Sequence, residues 1–277
     1  MRLVLPLLLC ALSACSTSAA PPADPAAVIA AERSFAERGQ EVGWIAAFRE
    51  FTAPDGQIAQ AEIVSAPETL ADAPDAGRDL FWWPAYAGIA RSGDLGFTTG
   101  PFSVDETRAP RGQYFTVWRL QPDGSWKWIW DGGPGPRPDA LNNGVDAASL
   151  PTLPVAAAGT GSAQSARAEV SALEQGATAG TLATRLAADA QVYRPGRPGA
   201  GADGFTYPNA EIAYRLTRVE ASAAGDLVFT LGEAEWSRDG EARSGFFARI
   251  WQYRPQGWRI VYDQLTPRVP PPPPPQN

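Results

Sequence analysis

The sequence predicts an α+β protein built from two tandem copies of one domain, each with helices first and an antiparallel sheet after them. Four blocks of sequence recur in the same order along the chain. Each copy opens with an Ala-rich stretch of helical periodicity. It then continues in short apolar runs separated by turns that contain Gly or Pro.

The internal repeat indicates how the domains are organised. The matched blocks begin at Ala31 and Ala168, at Ser92 and Ala224, at Val117 and Ile250, and at Gly124 and Gly257. In the last pair the second copy has one residue fewer. A period of this length indicates duplication of a whole domain rather than a solenoid of small repeats.

Domain boundaries follow from the repeat and from composition. The prediction assigns residues 1–14 to a signal peptide, 15–27 to a spacer, 28–138 to the first domain, 139–163 to a linker, 164–268 to the second domain and 269–277 to a proline-rich tail. The proline run favours a solvated polyproline II end, with a partner-binding segment as the alternative.

The helical part of each copy is interrupted by glycine. Residues 26–51 and 166–186 place apolar side chains at helical spacing. A break between two short helices is indicated by Gly39 and Gly43 in the first copy and by Gly176 and Gly180 in the second.

The strand part of each copy is marked by turns. Residues 92–94, 121–124, 238–241 and 254–257 carry the Gly, Pro and Asp patterns of tight turns, so the strands that they join are predicted to be antiparallel. Trp126, Trp128 and Trp130 alternate with other residues at the period of a strand, which predicts that their side chains share one face.

These motifs resemble the nuclear transport factor 2-like, or SnoaL-like, superfamily. Trp83-Pro84-Ala85-Tyr86-Ala87 followed by Ser92-Gly93-Asp94-Leu95-Gly96 is similar to a bacterial ketosteroid-isomerase-like family of unknown function (domain of unknown function 4440). The resemblance implies two cone-shaped, cystatin-like domains, in which helices cover a curved sheet around a pocket. Isomerases, dehydratases, hydrolases and pure binding modules share that cone, so it predicts fold better than chemistry.

The N-terminus indicates export and lipidation. Arg2 precedes an apolar run that is too short to span a bilayer, and residues 12–15 read Leu-Ser-Ala-Cys. That motif resembles a bacterial lipobox, which implies cleavage before Cys15, lipid attachment to Cys15 and anchoring in a lipid bilayer. Because Ser16 follows, the resemblance implies the outer membrane, facing the periplasm. An ordinary secretory signal with a coincidental cysteine is the alternative.

Composition excludes several classes of function. Removing residues 1–14 removes one base, Arg2, and no acid, so the formal charge falls from −7 to −8, which argues against nucleic-acid binding. The chain has no His, and its two cysteines are Cys10 and Cys15, so a zinc site is not expected in the mature domains. Nothing in the sequence indicates a cofactor or another metal site.

Carboxylate and phenol chemistry remains for catalysis. The resemblance to isomerases implies an acidic base and acidic donors inside an apolar cone, where burial raises a carboxyl pKa. The candidate acids are Asp105, Glu106, Glu233 and Glu235, and the candidate donors are Tyr86, Tyr114, Tyr193 and Tyr207. The alternative is that these are solvated carboxylates and tyrosines of the core or rim.

Further residues receive structural or pocket assignments. We expect the ligand pocket to be lined by Trp83, Tyr86, Trp118, Tyr207 and Trp251. Asp94 and Asp226 are expected to cap hairpin turns. Asp131 and Asp263 end the last strand of each copy, where a structural hydrogen bond is favoured over catalysis.

Three functions stay open at this point. The first is a non-catalytic envelope lipoprotein that binds a small apolar ligand or serves protein interaction, with its copies forming an internal pseudo-dimer or a homo-oligomer. The second is an isomerase-like or hydrolytic enzyme that uses a buried carboxylate and a tyrosine. The third is glycan binding through exposed Trp126, Trp128 and Trp130, with core packing as the alternative use of these rings.

Overall fold

The computed structural model describes residues 23–75, 77–136, 144, 147–195, 201–206, 211–238 and 240–268. The helices are α1 (Ala26–Val42), α2 (Trp44–Phe51), α3 (Ala66–Ala71), α4 (Ala163–Glu174) and α5 (Ala179–Ala183), with a 3-10 turn at Ala202–Gly204. The strands are β1 (Thr52–Ala59), β2 (Ile63–Ser65), β3 (Phe81–Trp82), β4 (Tyr86–Ile89), β5 (Leu95–Ser103), β6 (Gly112–Leu120), β7 (Trp126–Pro136), β8 (Leu186–Tyr193), β9 (Ile212–Ala221), β10 (Leu227–Arg238), β11 (Glu241–Arg254) and β12 (Gly257–Pro267). The predicted α+β class is confirmed.

The strands form two sheets. The first has seven strands in the order β2-β1-β7-β6-β5-β3, with β4 also paired to β5, and the second has the order β8-β12-β11-β10-β9. The predicted turns at 92–94, 121–124, 238–241 and 254–257 join antiparallel strands, although residue 239 itself lies outside the described residues.

One strand pair in each sheet runs parallel. β1 lies parallel to β7, and β8 lies parallel to β12. The turns read from the sequence determine only the strands that they join directly. These two pairs instead bring the first long strand of each copy against its last, and the whole intervening chain connects them.

Glycine separates the helices of each copy. Gly43 lies between α1 and α2 with φ 93°, and Gly176 lies between α4 and α5 with φ 67°. These positive φ values favour glycine, so the predicted breaks are confirmed there. Gly39 and Gly180 lie within helices. Among the described residues, no helix is both long enough and apolar enough to cross a membrane.

The helices cover one face of the first sheet and form a core with it. Phe35 of α1 lies 4.8 Å, between ring centroids, from both Phe48 of α2 and Trp82 of β3, and 6.0 Å from Trp118 of β6. A Cβ on Gly39 would stand 2.8 Å from the Trp82 ring, so glycine at this position lets Trp82 pack against α1.

The opposite faces of the two sheets pack against each other. Phe115 stacks on Tyr262 with ring centroids 4.1 Å apart and an interplanar angle of 11°. Phe97 lies 6.1 Å from Tyr262, and Phe229 lies 6.4 Å from Trp130. The last two contacts are related by the repeat, because Phe97 aligns with Phe229 and Trp130 with Tyr262. One apolar layer therefore belongs to both copies.

The described part of the predicted linker packs on the domains. Leu153 is 1% exposed, and its N–H donates to the Ala87 carbonyl at 2.8 Å. Gln252 Nε2 donates to the Pro154 carbonyl at 2.7 Å. Residues 152–154 thus contact both sheets, which composition alone did not indicate.

Candidate functional site

The helix-covered face of the first sheet borders a cavity of about 350 Å³, called the first cavity. Its walls are largely aromatic and include Phe35, Phe48, Trp82, Phe102 and Tyr114. Small-molecule sites occupy about 300–1,000 Å³, so a compact ligand fits here.

Three larger depressions lie elsewhere. One of about 450 Å³ lies beside Phe81 and Arg108, one of about 460 Å³ lies beside Ile29 and Leu150, and one of about 940 Å³ lies beside Tyr214 and Glu235. Of these four, the first cavity is the one lined by a carboxyl group whose pKa is raised, that of Asp131. A perturbed carboxyl in an apolar cavity marks a candidate site.

Asp131 is the acidic residue that lines the cavity. Thr116 Oγ1 donates to its Oδ2 at 2.7 Å, and no described residue donates to its Oδ1. Burial raises the pKa of Asp131 to about 7, against the opposing effect of the Thr116 hydrogen bond. Asp131 can therefore gain or lose a proton near neutral pH.

A second carboxyl group, that of Glu32 on α1, is buried behind the aromatic wall. Trp82 Nε1 donates to its Oε1 at 2.7 Å, and Trp118 Nε1 donates to its Oε2 at 3.1 Å. The Thr98 hydroxyl also donates to Oε2. Burial raises the pKa of Glu32 to about 7, and the charge of Asp131 adds to this, while the three hydrogen bonds oppose it. The charge of Asp131 thus disfavours ionisation of Glu32.

Tyr114 lines the cavity beside these acids. Its buried hydroxyl has no hydrogen-bond partner of normal geometry among the described residues. Burial, and then the charge of Glu32, raise the pKa of Tyr114 well above its ordinary value, so the phenol keeps its proton. The prediction that Tyr114 is a donor candidate agrees with this position.

A β-bulge directs Asp131 into the cavity. Trp118 pairs with Trp128 but Val117 pairs with Trp130, so Ile129 is an extra residue in β7. Trp128 consequently packs on Phe48 at 5.9 Å, on the helix side, whereas Trp130 packs against the second sheet. The next residue, Asp131, returns to the helix side and lines the cavity.

The prediction that the three tryptophans share one face is therefore wrong. The bulge turns Trp130 away from Trp128, because one extra residue reverses the alternation. Trp128 and Trp130 are both 0% exposed, and Trp126 is partly buried against the core that the helices form with the first sheet. They present no exposed stripe, so the glycan-binding hypothesis loses its physical basis.

The second copy repeats this geometry with a cation added. Trp251 pairs with Ile260 and Ile250 with Tyr262, so Val261 is the bulged residue. Asp263 then occupies the position of Asp131 and is fully buried.

Two arginines neutralise Asp263. Arg249 donates from Nε to Asp263 Oδ2, and Arg194 Nη2 lies 2.5 Å from Asp263 Oδ1. The structural hydrogen bond predicted for Asp263 is thus present as a buried ion pair.

Glu174 is the counterpart of Glu32 in its contacts. Thr230 Oγ1 and Trp251 Nε1 each donate to its Oε1 at 2.8 Å, as Thr98 and Trp118 donate to Glu32. The repeated sequence block aligns Glu32 with Glu169 instead. The packing of α4 on its sheet overrides that alignment, and Glu169 binds Trp258 Nε1 at 2.8 Å.

Apart from Arg194, which has no basic counterpart beside Asp131, the two copies differ at one register position. Thr116 pairs with Asp131 across the strands as Arg249 pairs with Asp263. Arg249 Nη1 also donates to Glu174 Oε2 at 2.6 Å. Although burial alone would lower it, the charges of Asp263 and Glu174 raise the pKa of the Arg249 guanidinium. The acids of the second copy are neutralised internally, and those of the first are not.

The predicted acids other than Asp131 and Asp263 lie outside the first cavity. Asp105 accepts from Thr107 N–H at 3.0 Å in the loop after β5, and Glu106 is exposed there. Glu233 forms an ion pair with Arg215 at 2.5 Å, and Glu235 is exposed on β10 beside the depression of about 940 Å³. None of the four lines the first cavity, and their assignment as catalytic candidates stays a prediction.

The predicted tyrosines divide between three places. Tyr86 lies in the layer between the sheets, 6.0 Å from Phe97, and Tyr193 lies in the same layer, 5.5 Å from Tyr262. Neither lines the first cavity, so their assignment as site residues stays a prediction. Tyr207 lies outside the described residues.

Two of the three predicted pocket tryptophans contact the buried acids. Trp118 and Trp251 are fully buried and bind Glu32 and Glu174 through their indole N–H groups. Trp82 and Trp83 both line the outer depression near Arg108, and of the two only Trp82 also lines the first cavity.

Sequence reasoning missed Glu32, although a signal was present. Val28, Glu32, Phe35 and Gly39 form the buried face of α1. A carboxyl group in the middle of such an apolar stripe is unusual and needs hydrogen-bond partners. Asp131 could have been singled out by comparing Thr116 with Arg249.

No metal site is indicated in the part of the chain that the structure describes, since no cluster of three or more acidic or other metal-ligating side chains occurs there.

Comparison with known proteins gives matches among solved structures, whereas no protein-family model and no curated protein matches the chain. A nuclear transport factor 2-like protein of unknown function from Pseudomonas putida KT2440 is 13% identical with a TM-score of 0.29, and the match covers 38% of this chain and 89% of that one. A ketosteroid isomerase-like protein from Erwinia carotovora atroseptica SCRI1043 is 17% identical with a TM-score of 0.28, covering 39% and 94%. An LEH-like epoxide hydrolase from M. tuberculosis is 14% identical with a TM-score of 0.28, covering 38% and 79%.

The first description names the superfamily that the sequence motifs resemble, and the second names a ketosteroid isomerase-like protein. Each match spans about the length of one predicted copy. The assignment to a particular family of unknown function, and its presence in both copies, stay predictions.

Proposed function

We propose that the first domain binds a small molecule in the first cavity and that the second domain is its structural partner. The observation that supports this proposal is that the first copy has Thr116 at the register position where the second copy has Arg249. In the second copy Arg249 joins both buried acids, whereas in the first copy Asp131 lines an open cavity with one carboxyl oxygen unbonded. A buried charge without a partner is costly, so a purely structural role would not favour it.

The proposal includes a location and an arrangement of the copies. Residues 12–15 lie outside the described residues, and their lipobox pattern supports anchoring through Cys15 in the envelope membrane. The layer around Phe115 and Tyr262 supports an internal pseudo-dimer within one chain, with no second chain required.

Native mass spectrometry tests the binding function. The full chain is purified in detergent from its own envelope, as wild type and as Thr116→Arg, which places a guanidinium next to Asp131. We expect a small molecule to co-purify with the wild type and to be absent from the variant. Glu235→Gln, an exposed change in the other copy, is the control that keeps the ligand. An empty wild-type cavity, or a ligand kept equally by Thr116→Arg, contradicts the proposal and favours a protein-interaction role.

Proton transfer is the second candidate function, supported by the pair of carboxyl groups beside Tyr114. With a pKa of about 7, Asp131 can take a proton from a carbon of the ligand and return it at another carbon. The Tyr114 hydroxyl can donate to the oxygen on which negative charge develops. A carboxylate beside a tyrosine is the pair of groups that the isomerase-like alternative requires.

Hydrogen exchange separates the two functions. The ligand identified above is incubated with protein in D₂O, and its deuterium content is measured by mass spectrometry. An isomerase-like domain incorporates deuterium at carbon and loses this with Asp131→Asn. A binding module leaves every carbon-bound hydrogen in place.

A further inference from the structure

We infer that the ligand of the first cavity carries a compact positive charge, as an amidinium, guanidinium or ammonium group on a small flat apolar body. This inference rests on the proposed binding function and specifies the class of ligand. It depends on what the second copy does with the same set of side chains.

In the second copy the Arg249 guanidinium is an internal cation held by acids and rings. It contacts Glu174 and Asp263, and its Cζ lies 4.9 Å from the Tyr214 ring centroid and 4.6 Å from that of Phe247. Carboxylates and aromatic faces together form a favourable environment for an organic cation.

The first copy has the matching acids and rings without the cation. Tyr114 pairs with Gly100 across the strands as Phe247 pairs with Gly232. Trp82 pairs with Phe102 in β5. Tyr214 pairs with Ala234, the counterpart of Phe102, in β10.

Thr116 is too short to supply the charge that Arg249 supplies. No basic residue is among the described residues that line the first cavity. A bound cation would therefore take the place of Arg249 in the first copy, where Arg194 also has no basic counterpart among the residues that line the cavity.

The contacts available to such a cation differ in one respect from those of Arg249. In the second copy Arg249 donates to Glu174. In the first copy the corresponding carboxyl group is that of Glu32, and Trp82 Nε1 already donates to its Oε1. A ligand would therefore bind the free Oδ1 of Asp131 directly and interact with Glu32 only through its charge. Phe35, Trp82 and Tyr114 supply the aromatic surface.

The charge of the ligand also determines what the cavity rejects. An anion would meet two carboxyl groups and no neutralising cation, so it is repelled. A neutral molecule of the same shape gains the aromatic contacts but leaves Asp131 without an ionic partner. Shape-matched probes of different charge therefore separate the three cases.

Benzamidinium, benzamide and benzoate have closely similar shapes and differ in charge, so they are the probes. Each is titrated into the full chain in detergent at pH 8, above the pKa of about 7 of Asp131, and binding is measured by calorimetry. We expect benzamidinium to bind at least about tenfold more tightly than benzamide, and benzoate not to bind.

Variants assign that binding to the cavity. Asp131→Asn is nearly isosteric and should reduce the affinity for benzamidinium to that for benzamide. Thr116→Arg should abolish it, while Glu235→Gln should leave it unchanged. Thermal unfolding of each variant checks that it is folded. Should Thr116→Arg not fold, Asp131→Asn alone decides.

Each contrary outcome has a distinct meaning. Equal binding of benzamide and benzamidinium, or benzamidinium binding unchanged by Asp131→Asn, overturns the inference about charge. Failure of all three probes also overturns it. The proposed binding function fails separately, when no small molecule is found with the wild-type chain by native mass spectrometry.

Discussion

Asp94 and Asp226, at equivalent positions in the two copies, each accept a hydrogen bond from the backbone of the other copy's hairpin turn. Ala223 N–H donates to Asp94 Oδ2 at 2.9 Å, and Arg91 N–H donates to Asp226 Oδ2 at 2.9 Å. The sequence predicts that these side chains cap turns. The structure adds that each caps a turn of the opposite copy as well as its own, which links the hairpins reciprocally.

Removing these caps should loosen the contact between the copies. Asp226 is fully buried and also accepts from Ser222 Oγ at 2.9 Å, so Asp226→Ala should destabilise the protein by about 2 kcal/mol. Asp94→Ala should cost about half as much, because Asp94 is partly exposed. Denaturant unfolding measures both.

Asp105→Ala is the matched control for the caps, since Asp105 binds only within its own loop. Its effect should stay within about 0.5 kcal/mol. A cost for Asp226→Ala no larger than that of Asp105→Ala would show that the reciprocal bonds contribute nothing to stability.

The paired carboxyl groups should make stability depend on pH. In the folded protein the pKa of Glu32 rises from 4.5 and that of Asp131 from 3.8, each to about 7. Folding therefore favours their protonated forms. Their contribution is fully present below about pH 4 and is lost as pH rises through 7.

Asp131→Asn removes half of that dependence. At pH 8 the variant should be more stable than the wild type by up to about 4 kcal/mol, and the difference should vanish near pH 4. Thermal unfolding across this range measures it. Asp263→Asn, the equivalent change in the second copy, should instead destabilise at pH 8, because Arg249 and Arg194 lose their carboxylate.

The exchange of Thr116 and Arg249 tests why the copies differ. Arg249→Thr leaves Glu174 without its cation and Asp263 with Arg194 alone, so it should destabilise by about 3–5 kcal/mol. Thr116→Arg should remove the loss of stability between pH 4 and pH 8 in the first copy. Chemical unfolding at both pH values measures both variants. An Arg249→Thr protein as stable as the wild type would mean that the buried ion pairs carry no net stability.

Cys15 should determine membrane attachment. Cys15→Ala should leave the protein without radioactive palmitate and release exported material into the soluble fraction, because no other anchor is predicted in residues 15–277. Cys10→Ala, in the signal segment, is the control that keeps the label. A Cys15→Ala protein that still takes up palmitate and stays with the membrane would refute the lipobox interpretation.

Much of the fold could be predicted from the sequence because it depends on short segments such as turns and helix breaks. The turns around Gly93, Gly124 and Gly257 determine antiparallel neighbours, and Gly43 breaks the first helix, whatever the rest of the chain does. Tyr114 was identified as a donor candidate. The parallel pairing of β1 with β7 was not accessible, because no short connection signals it.

The candidate site was less predictable because it depends on the bulge at Ile129. One extra residue in β7 separates Trp128 from Trp130 and sends Asp131 to the cavity. The sequence shows only an unbroken alternation there. The role of Glu32 likewise emerges only when Trp82 and Trp118 are brought to it from distant strands.

The sequence by itself determined that this chain is a duplicated α+β protein with a lipobox-like start, no histidine and no cysteine after Cys15, because these are matters of pattern and composition. Only the tertiary structure decided which acids matter. In the sequence, neither Thr116 nor Arg249 belongs to a motif that indicates a function. Each acquires its meaning from the carboxyl group that strand register places opposite it, since the energy of a buried charge depends on its neighbours in space.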